Sequence, residues 1–166
     1  MKIARSLALF AFAASSAWAQ TSDIMIVKPQ AFATRDGQPN AAAFVEIHNH
    51  GKSADQLKAV RFPSSVATRG ELHSMSHVDG KMVMRELKGV PLPAGGTIQM
   101  QPGGDHLMLI GLQRSLRVGE TVEATLVFER AGEVKVSIPV VERKAATPKG
   151  EHGHGQGHGG HGGTKH

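Results

Sequence analysis

Residues 121–140, TVEATLVFERAGEVKVSIPV, decide the fold class of the chain. Apolar side chains occupy every second position in two runs, and the turn signal Ala131-Gly132 separates these runs. This alternation has the two-residue period of a strand with one buried face. The stretch therefore predicts two strands whose inward side chains, such as Leu126 and Phe128, belong to a hydrophobic core.

The same alternation recurs along residues 23–141, in short runs separated by turns such as Asp79-Gly80. No run shows the three-to-four-residue apolar spacing of an amphipathic helix. The predicted strands are Ile24–Lys28, Ala42–His48, Gln56–Phe62, Ala67–His77, Lys81–Leu87, Thr97–Gln101, His106–Leu112, Thr121–Glu129 and Glu133–Val140. Short strands at this spacing predict an all-β fold, an antiparallel Greek-key sandwich or barrel.

The two ends of the 166-residue chain differ from this body in composition. Residues 1–19 combine a basic start, an apolar run and the motif Ala17-Trp18-Ala19, which is typical of a secretory signal peptide. Residues 144–166 are rich in Gly and His and have too few apolar side chains to offset the entropy of ordering. We therefore expect an exported domain of residues 20–143, a disordered tail of residues 144–166 and no inserted membrane segment.

Composition excludes several classes of function. The chain has no Cys, which excludes disulfide scaffolds, thiolate metal sites and cysteine nucleophiles. Much of the net charge of +5 lies in the two ends, and the nearly neutral body has no basic–aromatic alternation, so we expect no nucleic-acid partner. Neither G-x-S-x-G nor H-E-x-x-H occurs, and we expect that the protein is not an enzyme.

The histidines and methionines of the body fall on shared strand faces. Strand alternation groups His73, Met75 and His77, then Met82 and Met84, and finally His106 and Met108. Thioether sulfur is soft and uncharged, so mixed Met and His ligation favours copper, and Cu(I) above all. A blue-copper electron-transfer centre is excluded because it needs a thiolate.

Not every one of these residues has to bind a metal ion. We expect Met82 and Met100 to fill gaps in the core, as most methionines do. For Met75 and His77 two alternatives stay open: a solvated hairpin end, or side chains that support the ion or take part in its transfer.

The spacing resembles that of the periplasmic copper chaperones of the PCu(A)C family, whose signature is His, ten residues, Met, twenty-one residues and His-x-Met. His73, Met84 and His106-Leu107-Met108 match it at every position. The surrounding sequence, including GELH and DGKMVMRE, also looks like the family from Ile24 to Val141. The resemblance implies a cupredoxin-like Greek-key β-barrel. It also implies that His73, Met84, His106 and Met108 bind one Cu(I).

The resemblance further implies a function in the periplasm. Family members deliver copper to the copper centre of cytochrome c oxidase subunit II, directly or through a Sco-type copper chaperone. We accordingly expect a monomeric chaperone with these partners. The alternative is a periplasmic copper or metal buffer, a storage protein for metal tolerance.

The tail adds a second predicted metal site. Glycine-spaced imidazoles can wrap a borderline ion such as Cu(II), Ni(II) or Zn(II), and copper outcompetes the other two at nitrogen ligands. We therefore expect Cu(II) on the tail, bound by His152, His154, His158, His161 and His166.

Overall fold

A computed structural model describes residues 23–143 of the chain. This described part contains ten strands. The strands are β1 (Ile24–Phe32), β2 (Asn40–Asn49), β3 (Asp55–Arg61), β4 (Ala67–Val78), β5 (Lys81–Leu87), β6 (Val90–Leu92), β7 (Thr97–Gln99), β8 (His106–Leu112), β9 (Thr121–Phe128) and β10 (Glu133–Val141). Within residues 23–143, no helix has the length and apolar character that a membrane crossing requires. The predicted signal peptide and the tail histidines lie outside the described residues.

Nine of these strands coincide, within a few residues, with the nine predicted from the alternation. The sequence pattern misses β6, which is three residues long and contains Pro91. Proline cannot donate a backbone hydrogen bond, so it argues against a strand except at the edge of a sheet. β6 is such an edge, because it pairs with β3 alone and ends the path of paired strands.

The paired strands follow the order β5-β4-β8-β2-β1-β10-β9-β3-β6, and β7 pairs with β2. This path is open, with β5 at one end and β6 at the other. All pairs are antiparallel except β1 and β10, which run parallel where Ala31 lies opposite Val140. This one parallel pair departs from the antiparallel pairing that the sequence predicts for the fold. Parallel strands need a long connection, and the eight strands between β1 and β10 provide one.

The core consists of the inward side chains that the alternation predicts. On β9 the residues Val122, Ala124, Leu126 and Phe128 are buried, while the residues between them are more exposed. Burial of each large aliphatic side chain stabilises the fold by about 1.5–3 kcal/mol relative to its exposure. The predicted all-β class is therefore confirmed.

A tight hairpin joins β4 to β5 and fixes which residues face each other. Its two-residue turn, Asp79-Gly80, has positive φ at both positions, 50° and 75°. These angles are those of a type I′ turn, whose twist matches that of the flanking strands and which favours the sequence Asp-Gly. Val78 consequently lies opposite Lys81, and the register continues without interruption to Leu72 opposite Leu87.

Candidate metal centre

Three adjacent strands, β5, β4 and β8, bring the sequence-predicted metal ligands onto one face of the sheet. His73 on β4 lies directly opposite His106 on β8, and Met75 on β4 lies opposite Met84 on β5. Directly opposed residues of an antiparallel pair project to the same face. Met108 shares this face because it stands two residues from His106 on β8.

The opposite face of the same strands belongs to the core. Leu72 on β4 lies opposite Leu107 on β8, and both side chains are buried. The alternation therefore separates apolar side chains, which hold the sheet to the core, from histidines and methionines, which point away from it. A one-residue slip in register would exchange these faces, so core packing also keeps the candidate ligands together.

His106 is buried, with only 4% of its surface exposed, although it lies on the outer face. Its ring packs between that of His73, at 5.9 Å, and that of Phe44, at 6.3 Å. Nδ1 of His106 lies 3.0 Å from the carbonyl oxygen of Gly104 and donates a hydrogen bond to it. In a neutral imidazole the other nitrogen, Nε2, is then an acceptor with a lone pair available to a metal ion.

His73 has the complementary arrangement. Its Nε2 lies 2.7 Å from Oε2 of Glu71, whose other carboxylate oxygen accepts a hydrogen bond from Arg69. The hydrogen bond from Arg69, followed by that from His73, lowers the pKa of Glu71 below its ordinary value. The ionised carboxylate therefore accepts a hydrogen bond from Nε2–H of His73, and in this tautomer the lone pair of the ring lies on Nδ1.

Nδ1 of His73 is the side-chain atom of the site whose surroundings best fit a metal ion. Within residues 23–143 it is buried and has no hydrogen-bond partner. A buried polar atom without a partner costs about 1–3 kcal/mol. A carboxylate that orients a histidine, with the opposite ring nitrogen left free, is the usual support for a metal-binding imidazole.

A cleft of about 470 Å³ opens beside these rings. Its wall includes three methionines, Met75, Met84 and Met108, together with His106. His73 is not part of this wall; its ring lies next to that of His106. The cleft therefore brings together three of the four predicted ligands, Met84, His106 and Met108, and adds Met75, whose role the sequence left open; the fourth, His73, lies directly beside His106.

The rim of the cleft includes the end of the described chain. Arg143 and Phe32 both line the cleft, and the Arg143 guanidinium lies 5.0 Å from the centroid of the Phe32 ring. This contact is a cation–π interaction, worth about 0.5–1 kcal/mol at an exposed site. It holds the chain at Arg143 next to the candidate ligands.

The donors present at this site suit a soft ion. In the described part of the chain, no group of three or more His, Asp or Glu side chains is arranged to hold a metal. The further donors that line the cleft beside His106 are the thioether sulfurs of Met75, Met84 and Met108, which suit a soft ion. A larger cleft of about 640 Å³, lined by residues that include Asp23, His50 and Arg130, contains no methionine.

Two of the remaining methionines test the sequence interpretation. Met100 is buried at 4% exposure, which confirms its expected place in the core. The same expectation for Met82 is wrong, because its side chain is 51% exposed. β5 is the last strand of the path and extends with the hairpin beyond the core, so its side chains meet solvent there.

Comparisons with known proteins agree with this architecture. A family model described as "Putative lipoprotein LpqE-like" matches residues 24–140. A protein of Leifsonia xyli subsp. xyli (strain CTCB07), named "Putative lipoprotein Lxx21020", is 34% identical over 111 residues. That alignment covers 66% of this chain and 66% of the Leifsonia protein, so this chain spans just under two thirds of its relative.

Solved structures with the same fold include PCuAC domains. The apo PCuAC domain from PmoF1 is 30% identical, with a TM-score of 0.61, and the match covers 73% of this chain and 95% of that domain. The copper-bound PCuAC domain from PmoF2 is 26% identical, with a TM-score of 0.60 and coverage of 73% and 94%. CuI-DR1885 from Deinococcus radiodurans is 30% identical, with a TM-score of 0.55 and coverage of 78% and 86%.

The family match covers nearly all of the described residues, and the structural matches extend over the same sheet. The resemblance to PCuAC domains that the sequence predicted is therefore confirmed. The chain belongs to the LpqE-like family, and its described part has the cupredoxin-like β fold of PCuAC domains.

Proposed function

We propose that the protein is a copper chaperone that binds one Cu(I) through His73, Met84, His106 and Met108. The observation that carries the proposal is the buried Nδ1 of His73, which has no partner within the described residues while Glu71 holds the opposite nitrogen. The copper-bound state of two structural relatives, the PmoF2 domain and CuI-DR1885, supports the choice of ion.

The donor set accounts for the oxidation state. Two imidazoles and two thioethers offer soft, uncharged ligands, which favour Cu(I) over Cu(II) and over zinc. Met84 is 44% exposed, so one ligand of the proposed shell is accessible to a partner protein. A chaperone needs such a ligand, because copper leaves by exchange of one donor at a time.

The proposed partners are the copper centre of cytochrome c oxidase subunit II and a Sco-type copper chaperone, both implied by the sequence resemblance. The proposed location is the periplasm. It rests on the signal-peptide pattern of residues 1–19 and agrees with the description of the matched family as lipoproteins. The proposed activity is transfer of an ion and contains no catalytic step.

Transfer of copper distinguishes this proposal from a storage role. The full chain, loaded with one equivalent of Cu(I), is mixed with the apo form of a soluble subunit II copper domain, and copper is quantified on both proteins after their separation. We expect the acceptor to gain copper and the Met84→Leu variant to transfer poorly, whereas Met25→Leu, at a similarly exposed methionine of β1, transfers normally. Copper that stays on the chain with this acceptor and with a Sco-type acceptor would favour the buffer.

We propose a separate Cu(II) site on the tail, formed by His152, His154, His158, His161 and His166. All of its side-chain donors are imidazoles, which suit Cu(II) better than the thioethers of the cleft do. Calorimetry with Cu(II) on the full chain and on a chain ending at Arg143 tests this site. Equal Cu(II) stoichiometry in the two proteins would contradict it.

A further inference from the structure

The β4–β5 hairpin carries more soft ligands than the proposed copper site uses. His77 lies directly opposite Met82, and Met75 lies directly opposite Met84. These pairs are two residues apart on each strand, so all four side chains project to the same face as His73 and His106. The face therefore presents a ladder with three rungs. His77 with Met82 and Met75 with Met84 cross β4 and β5, and His73 with His106 crosses β4 and β8, while Glu86 lies opposite His73 on β5.

The spacing of the ladder suits the movement of an ion. Two residues along a strand correspond to about 7 Å, and directly opposed side chains have Cβ atoms about 5 Å apart. Long Met and His side chains on neighbouring rungs can therefore reach a common ion. The Asp79-Gly80 turn fixes the register, so the outer rung cannot slip relative to the inner ones.

Nothing in the packing of the hairpin accounts for the outer rung. Met82 is 51% exposed and therefore contributes little burial to the fold. His77 is also exposed, and within residues 23–143 its ring takes part in no hydrogen bond or ion pair. No partner within these residues fixes the tautomer of His77, so either ring nitrogen can supply the lone pair of the neutral ring.

We propose that His77 and Met82, together with Met75, form a second, outer site for a soft monovalent ion, Cu(I) or Ag(I). An imidazole with two thioethers is a donor set of the same kind as that of the inner site. Met75 also lines the cleft with Met84, His106 and Met108, so it connects the outer site to the inner one. The outer site itself does not depend on the proposed function. Only the transfer of its ion to the inner site rests on that proposal.

Movement between the sites is an exchange of ligands without a change in oxidation state. Cu(I) bound by His77, Met82 and Met75 gains a bond to Met84 as it loses the bond to His77. It then gains bonds to His73, His106 and Met108 as it loses those to Met82 and Met75. No electron or proton is transferred, because thioethers do not protonate and the neutral imidazoles supply lone pairs.

Titration of the full chain with Ag(I), followed by NMR of the methionine ε-methyl groups and histidine rings, tests the outer site. Ag(I) is soft and needs no reductant. The titration continues until the ring signals of the tail histidines also stop changing, so competition from the tail cannot hide a site. We expect the Met84 and Met108 methyl signals to shift first, and the Met82 methyl and His77 ring signals to shift with a further equivalent.

In the double variant His77→Ala/Met82→Leu, the second binding event within residues 23–143, seen as a shift of the Met75 methyl signal, should disappear. The first binding event, seen as a shift of the Met108 methyl signal, should remain. Met25→Leu is the matched control, since Met25 is 45% exposed on β1 and lies outside the ladder. It should leave both events unchanged.

The outcomes separate the two proposals. If Met84 and Met108 respond while Met82 and His77 stay unmoved to the end of the titration, the outer site is wrong and the proposed function stands. If Met82 and His77 respond while Met84 and Met108 do not, the outer site stands and the proposed inner site is wrong. A second event that survives in the double variant would also overturn the outer site.

Discussion

Glu71 holds Nε2 of His73 at 2.7 Å, and this contact leaves Nδ1 as the nitrogen that can bind a metal ion. The same local arrangement occurs on β2, where Oε1 of Glu46 lies 2.7 Å from Nε2 of His48. Each carboxylate also pairs with a basic side chain, Arg69 in one case and Lys28 in the other. At the second pair Nδ1 of His48 has a partner, the Thr97 hydroxyl oxygen 3.3 Å away, whereas Nδ1 of His73 has none within residues 23–143, so the second pair provides a control for the first.

Glu71→Gln should weaken Cu(I) binding by about 10–100-fold, the usual loss when the support of a metal-binding histidine is removed. A neutral amide no longer requires Nε2 of His73 to carry the proton, so the ring can adopt the tautomer that is wrong for binding. Competition with a Cu(I) chelator measures the affinity. Glu46→Gln should have no effect, and an equal loss in both variants would contradict a specific role for Glu71.

Replacement of Met84 or Met108 by Leu should lower Cu(I) affinity and leave the fold intact. Leu and Met have similar volumes, so each change should alter the free energy of unfolding by less than about 1.5 kcal/mol. X-ray absorption of the Cu(I)-loaded chain should show fewer sulfur neighbours around copper in either variant. Unchanged copper–sulfur scattering in both would show that these methionines are not ligands.

Acid should destabilise the fold in part through Asp55, which accepts hydrogen bonds from the backbone N–H groups of Arg130, Gln56 and Ala131. Partial burial raises the pKa of Asp55, but these three hydrogen bonds outweigh it, and the net pKa lies below the ordinary value of 3.8. The unfolded chain therefore binds the proton first. The stability that Asp55 provides is present above that ordinary value and is lost as pH falls through the lowered pKa.

Asp55→Asn should accordingly lower the free energy of unfolding at neutral pH by roughly 1–3 kcal/mol and reduce the further loss in acid. Denaturant unfolding at neutral pH and at about pH 2.5, below the ordinary pKa of Asp, measures both effects. Asp79→Asn is the control, because Asn also suits that position of the type I′ turn. If Asp55→Asn and the unchanged protein lose equal stability in acid, Asp55 is not the group responsible.

Gly70 on β4 should tolerate no side chain. A Cβ atom at this position would collide with the carbonyl oxygen of Val60 on β3 and with the side chains of Val60 and Phe62. Since a backbone atom blocks the space, Gly70→Ala should cost about 1–3 kcal/mol of unfolding free energy, as overpacking does. At Gly104 the nearest atom to an added Cβ is 3.7 Å away, so thermal unfolding of Gly104→Ala should change much less.

Sequence alone predicts most of the fold because alternation is a local property. The buried residues of β9 and the Asp79-Gly80 hairpin follow from neighbouring residues, so both can be predicted. The parallel pairing of β1 with β10 depends on strands more than a hundred residues apart along the chain, and no local pattern records it. β6 is too short for its alternation to be distinguished from a loop.

The candidate site divides in the same way. Which side chains share a face of one strand could be predicted for His73 and Met75, and equally for His106 and Met108. Which residues face each other across strands depends on register, and no local pattern records register. The sequence therefore could not predict that Met75 lies in the cleft wall or that His73 lies beside His106. The exposure of Met82 was missed because it depends on how far the hairpin projects beyond the core.

Arg143 stands at the rim of the cleft, and the chain continues from there to the tail histidines. His152 follows Arg143 by so few residues that, at about 3.5 Å per residue when extended, its imidazole stays within roughly 30 Å of the cleft. Copper on that segment, once a supplied reductant has converted it from Cu(II) to Cu(I), would reach the cleft while still attached to the same chain, at an effective concentration in the millimolar range. Loading of the cleft from the tail would then be independent of protein concentration, whereas loading from free copper would not.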